Sequence, residues 1–302
     1  MKKKLCAAVL ALSLACPSFH AQNLVNETPE QKDKRMEWFH KAKLGIFIHW
    51  GIYAVKGVSE SWSFYNKYLP HDEYLKQCEG FTASKYDPKA WVELIKESGA
   101  QYTVLTTKHH DGVALWDTKQ NGISVVKNTP AKRDLVTPFV NEVRKAGLRL
   151  GLYYSLPDWS HPDYPNMTRT DVRYKDDPKR WDNFCKFNFG QLAELNNTYK
   201  PDLYWFDGDW EMSAETWRAK EIMQLLRSNN KNVIVNSRIT GYGDYATPEQ
   251  GVPVVRPEDK YWELCMTMND SWGYQHNDKN YKTPHMLLRT FVDCLSNGGN
   301  ML

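Results

Sequence analysis

Pro201-Asp202-Leu203-Tyr204-Trp205-Phe206-Asp207-Gly208-Asp209-Trp210 reads as a buried strand, Leu203 to Phe206, that delivers an acidic residue into a turn opened by glycine and walled by tryptophans. A carboxylate at the C-terminal end of a strand, beside aromatic platforms, is the equipment of sugar-cleaving barrels. The plainer reading of one such aspartate is a cap for the following helix. That reading loses ground because other strands of this chain end in polar residues of the same kind.

Outward from this segment, strands and helices alternate. Apolar runs at Leu44 to His49, Tyr102 to Thr107, Leu148 to Tyr154, Val233 to Asn236 and Tyr261 to Thr267 predict strands. Between them, Asp87-Pro88, Asp177-Pro178 and Thr283-Pro284 place a capping side chain before a first-turn proline, and Gly99 and Gly147 end helices. The helix after Asp87 is expected to bury Trp91, Leu94 and Ile95, and helices are also expected after Asp134 and from Trp217 to Leu226. Near-continuous apolar strands separated by helices predict a parallel α/β sheet covered on its faces. An open doubly wound sheet and a closed (β/α)8 barrel of the TIM type both satisfy that pattern. No GxGxxG or GxxxxGK[ST] loop follows a strand, which weakens nucleotide binding. Polar residues at nearly every strand end, among them His49, Lys108-His109-His110, Tyr154-Ser155, Asp207, Arg238 and the Glu263 region, favour the barrel. Only seven strands are counted, the last just begun at Asn300-Met301-Leu302, so the barrel is expected to be incomplete at its C-terminus, with no closing partner for its first strand.

The 302 residues carry a net charge of only +3, with Lys and Arg dispersed, so nothing electrostatic favours nucleic acid. Twelve tryptophans and seventeen tyrosines suit a carbohydrate ligand, although aromatics also fill cores. Lys2-Lys3-Lys4 followed by the apolar Leu5 to Ala15 reads as an export signal, cleaved after Ala21. Residues 1–21 are thus a leader and 22–302 the catalytic barrel. The apolar run is too short to span a bilayer, and Cys16, after Leu14-Ala15, offers lipid anchoring as the lesser alternative. The remaining Cys78, Cys185, Cys265 and Cys294 form no CxxC pair and are expected to be buried free thiols rather than a metal cluster.

Glycoside hydrolysis needs two carboxyl groups flanking one bond. Asp207 is the first. For the second, Glu249 in a long loop (Thr247-Pro248-Glu249-Gln250) is preferred over Glu263 inside a strand, because a loop acid can reach over a bound sugar. Glu258 lies in a Pro-Glu-Asp-Lys run that reads as solvated surface. His49, His109 and His110 lack metal-ligand spacing, and adjacent histidines on a strand point to opposite faces, so neutral imidazoles serving sugar hydroxyls fit better than a metal site. No cofactor or metal is expected. Arg238 has two readings, a partner of Asp207 or of a sugar hydroxyl.

Gly45-Ile46-Phe47-Ile48-His49-Trp50-Gly51, Lys108-His109-His110-Asp111-Gly112, Trp205-Phe206-Asp207-Gly208, Trp262-Glu263-Leu264-Cys265 and Ser271-Trp272-Gly273-Tyr274 together resemble the α-L-fucosidases of glycoside hydrolase family 29, in the family's order from about Trp38 to the last residue. The resemblance implies a retaining exo-hydrolase acting on terminal α-L-fucose of glycans through a covalent intermediate. It implies Asp207 as nucleophile and Glu249, or alternatively Glu263, as acid/base. It further implies Phe47, His49, Trp62, His109, His110, Tyr154, Trp205, Arg238 and Trp272 as residues that hold the sugar or shape its pocket. Two features depart from the pattern. The family's Glu-Trp pair is here Glu60-Ser61-Trp62, displacing the carboxylate by one residue, and the usual last strand and C-terminal β-sandwich are not in this sequence. The competing expectation is therefore a truncated, catalytically dead barrel that at most binds fucosylated glycans.

Overall fold

The computed structural model describes residues 27–302; the expected leader and Cys16 lie outside them. Five strands, β1 (Gly45–Ile48), β2 (Tyr102–Lys108), β3 (Arg149–Ser155), β4 (Leu203–Asp207) and β5 (Ile234–Val235), pair in that order, all parallel. A second parallel pair joins β6 (Glu263–Leu264) and β7 (Asn300–Met301). The stretch Tyr245 to Glu249 links the two groups, bridging Asn236 on one side and Trp262 and Cys265 on the other. Met301 N donates to Lys43 O at 2.9 Å, and a parallel bridge joins Leu44 to Met301. Staves β1 to β5, the Tyr245 segment, β6 and β7 thus form a ring of eight.

The seven strands expected from the sequence are present, and the Tyr245 segment adds to them a stave of isolated bridges that was not expected. Proline, acidic and turn residues hide the Tyr245 stave in the sequence, and its isolated bridges are the minimum a stave can make. The first strand does have a partner at its base. Above Leu44 the seam between β1 and β7 opens into an apolar groove of about 340 Å³ lined by Ile46, Phe47, Leu287, Phe291 and Met301 among others.

The helices sit where their caps predict. Pro88–Glu97 starts behind Asp87, Pro178–Tyr199 behind Asp177 and Pro284–Ser296 behind Thr283, and each cap oxygen accepts a backbone N–H of the first turn. Val136–Lys145 and Ala219–Asn229 complete the cover. In the Pro88–Glu97 helix Ile95 is buried and Trp91 packs partly buried on the core as expected, but Leu94 is 69% exposed and Val92 is buried instead. The sequence reading missed α1 (Pro29–Ala42), capped by a reciprocal Thr28–Gln31 box. Its low hydrophobicity concealed a narrow stripe, Met36, Phe39 and Ala42, which plugs the N-terminal mouth of the barrel against Tyr102 and Tyr245.

Two apolar layers follow from strand alternation. Val104, Tyr153, Leu203 and Trp205 point into the barrel, and Leu105, Leu152, Tyr154 and Phe206 point out to the helices. The four cysteines among the described residues, Cys78, Cys185, Cys265 and Cys294, are buried free thiols. Among the described residues no helix is long and apolar enough to cross a membrane.

Candidate active site

Asp207 ends β4, and Gly208 turns the chain sharply away with a left-handed φ of 86°. A Cβ on Gly208 would lie 2.2 Å from Pro157, so both the conformation and the space there require glycine. The carboxylate is buried and fully engaged. Oδ1 accepts from Arg238 Nη1 at 2.7 Å, and Oδ2 accepts from the Tyr153 hydroxyl at 2.8 Å with His110 Nε2 at 3.5 Å. Burial pushes the acid's pKa up, but the Arg238 charge and the hydrogen bonds from Tyr153 and Arg238 outweigh it, and the pKa falls below its ordinary 3.8. Asp207 is an anion across the working pH range.

Arg238 joins the two candidate carboxylates. Its Nη2 donates to Glu249, its Nε to Thr247 Oγ1 at 3.2 Å, and its guanidinium carbon lies 4.6 Å from the Trp205 ring centroid. Trp205 is fixed from behind, its indole N–H donating to Glu263 at 3.0 Å. Glu263 also accepts from Tyr102 and is fully buried, and its burial raises the pKa to about 7.

Phe47, His49, Trp62, His109, Trp205, Asp207, Arg238, Glu249 and Trp272 all line one pocket of about 270 Å³, joined by Tyr153, Trp210 and Cys265. The sequence expectation is corrected at Tyr154, and Glu263 and the fully buried His110, which stands beside Asp207, are not among the lining residues. Tyr154 is turned out of the barrel, where its hydroxyl meets Asn188, Gln191 and Lys108. The residue in register with Trp205 is Tyr153, whose side chain shares its face. Strand parity could have found it, because Trp205 and Asp207 fix the inward face of β4 and Tyr153 is its neighbour on that face. Glu263 stands behind Trp205 and does not line the pocket.

The expectation that adjacent histidines diverge is also corrected. A register shift between Thr106 and Lys108 ends the ladder before them, and His109, His110 and Asp207 bring ligand-type atoms within 4.8 Å of one another. The same space carries the Arg238 guanidinium, which supplies positive charge to Asp207 without an ion. Ser155 Oγ donates to Pro157 O at 2.6 Å and so accepts from His110 Nδ1 at 2.6 Å. That chain puts the His110 proton on Nδ1 and leaves Nε2 a buried acceptor with no hydrogen-bond partner among the described residues. His49 Nδ1 meets the Tyr53 hydroxyl at 2.8 Å, and His109 Nδ1 meets Ser61. Burial lowers the pKa of His49 and of His110 to about 4, and that of His109 well below its ordinary value. All three are neutral imidazoles, able to donate or accept with a hydroxyl.

The Glu60-Ser61-Trp62 departure has a structural outcome. Glu60 is buried with a left-handed φ of 22°, and its carboxyl accepts from the backbone N–H of Gly273, next to Trp272. Ser61 stands at His109, and Trp62 keeps its place in the pocket wall.

A parallel eight-stave barrel with two carboxylates facing one pocket at its strands' C-terminal ends has the architecture of barrel glycoside hydrolases. Within that class, a sequence model of the alpha-L-fucosidase family matches residues 12–302, and the chain belongs to this family. The tissue alpha-L-fucosidase of Bos taurus is 31% identical over 88% of this chain, and that of Mus musculus 33% identical over 88%. The chain spans 61% and 63% of their lengths. Among solved structures, alpha-L-fucosidase isoenzyme 1 from Paenibacillus thiaminolyticus superposes with a TM-score of 0.84 at 37% identity, covering 90% of this chain and 69% of that one. Alpha-L-fucosidase AlfC from Lactobacillus casei, in complex with alpha-L-fucose product, gives 0.78 at 31% identity, covering 89% and 90%.

Proposed function

We propose that the chain is a retaining exo-α-L-fucosidase that removes terminal α-L-fucose from glycans. The observation that carries this reading is the pairing of an ionised, hydrogen-bonded Asp207 with a loop carboxyl, Glu249, across one sugar-sized pocket bridged by Arg238. Asp207 attacks the anomeric carbon while Glu249 gives its proton to the leaving oxygen. Water, deprotonated by Glu249, then releases the sugar from Asp207 with net retention. Neutral His49, His109 and His110 serve the ring hydroxyls, and the orphaned His110 Nε2 accepts from one of them. Phe47 and Trp272 offer apolar surface to the 6-deoxy methyl group. The similarity to fucosidase structures, one of them holding fucose, supports the substrate class.

Two sets of variants test it. Asp207→Asn should lower turnover of an aryl α-L-fucoside by several orders of magnitude with the fold intact, because the covalent route is gone. Glu249→Ala should spare activated aryl fucosides more than natural glycans and be rescued by azide, since only a poor leaving group needs the proton. Near-normal turnover by Asp207→Asn, or azide rescue in Glu263→Ala instead of Glu249→Ala, would overturn the corresponding role.

Residues 1–21 serve in this reading as an export leader and 22–302 as the catalytic barrel, acting in a periplasmic or extracellular space. N-terminal sequencing of the exported protein tests it. A start at Gln22 is expected, and a lipid-modified Cys16 would replace the cleaved form with an anchored one.

A further inference from the structure

The 3-10 turn Asp209–Glu211 is mounted rigidly on the rim of the pocket. Asp209 is held on both sides, its carbonyl accepting from Trp217 Nε1 at 2.9 Å and its carboxylate from Thr240 Oγ1 at 2.7 Å. Glu211 accepts from Trp159 Nε1 at 2.8 Å, from Asn166 Nδ2 at 2.9 Å and from the Tyr164 hydroxyl. Between these two anchored residues Trp210 lines the pocket and is nevertheless 54% exposed. Its ring lies nearly parallel to Trp62, at 16° and 6.3 Å between centroids. Trp62 is itself packed edge-on against Tyr65, His110 and Trp159, so it is the wall and Trp210 the ledge.

A large apolar ring held open to water by a fixed turn gains nothing for the fold, but it offers a flat face to a ligand at little entropic cost. The pocket is at the small end for ligand sites and takes one sugar ring. The rest of a glycan must leave over the rim. We infer that Trp210 is the platform of the leaving-group subsite, stacking on the pyranose that carries the fucose. The ligand class is therefore a saccharide aglycone rather than a small or purely aliphatic alcohol. This inference rests on the fucosidase reading.

Comparing substrates with and without an aglycone ring tests it. Trp210→Ala should lower kcat/KM for a fucosylated disaccharide roughly ten- to a hundredfold more than for α-L-fucosyl fluoride. The fluoride leaves without a ring to stack. Trp210→Phe should restore most of the difference. Equal losses on the two substrates would assign Trp210 to the fucose pocket, and no loss on either would remove it from the site; both overturn the inference. A binding measurement separates this result from the function itself. In Asp207→Asn protein, the Trp210 indole resonance should shift with the disaccharide and not with free fucose. If the wild-type chain cleaves no fucoside, the proposed function fails while this readout still decides the platform. An indole that moves equally with both sugars, or with neither, overturns the inference.

Discussion

Arg238 contacts both carboxylates of the pocket, and that double contact sets its chemical task. Toward Asp207 it stabilises the anion needed for attack, with a 2.7 Å hydrogen bond in a buried setting where charge is poorly screened. Toward Glu249 it holds a side chain that must come free to face the leaving oxygen when substrate enters. Removing the positive charge disfavours the Asp207 anion, so its pKa must rise. Arg238→Met should therefore move the acid limb of kcat/KM upward from below 3.8 by about 1–3 pH units, alongside a loss of rate. An acid limb that stays in place in Arg238→Met would mean that the Tyr153 hydrogen bond suffices to hold the charge.

At the scale of elements, β3 separates catalysis from support by one residue. Tyr153 faces inward and donates to Asp207, while Tyr154 faces outward and sets its hydroxyl between the side-chain amides of Asn188 and Gln191 of the Pro178–Tyr199 helix. Tyr153→Phe should cut kcat roughly ten- to a hundredfold with little change in melting temperature, since it removes a hydrogen bond to a reacting carboxylate. Tyr154→Phe should do the reverse, costing about 1–3 kcal/mol of stability by leaving buried polar partners unsatisfied. The opposite pattern would restore Tyr154 to the site. The same element shows what the sequence can and cannot tell. Asp207 and Arg238 are placed by the apolar runs that precede them and Glu249 by its long loop, whereas Phe47, Trp62 and Trp272 follow from the family resemblance and from nothing in the strand pattern. Tyr154 was misread because a Tyr-Tyr pair at a strand end has two faces, and only register with β4 chooses between them. The Tyr245 stave and α1 were not legible because neither carries a broad apolar run. One is a stave of isolated bridges, and the other buries only a narrow stripe.

At the scale of the whole molecule, the ring of staves is uneven around its circumference. Long ladders join β1 through β4, whereas the seam between β7 and β1 is a single bridge at Leu44 and Met301. Lys43 O faces β7 and Leu44 O accepts from Gln101 N toward β2, so alternation turns the Phe47 backbone toward the seam. There it meets the apolar groove rather than a strand, only two residues from His49 and directly under the sugar pocket. Backbone polar groups on such an edge bond to water or to whatever covers the groove. In the 302-residue chain the Phe47 amide should therefore exchange with deuterium much faster than those of Val104 and Leu152, which lie inside ladders on both sides. Protection of Phe47 equal to that of Val104 would show that the groove is covered. A dependence of that protection on protein concentration would identify the cover as a second copy of the chain.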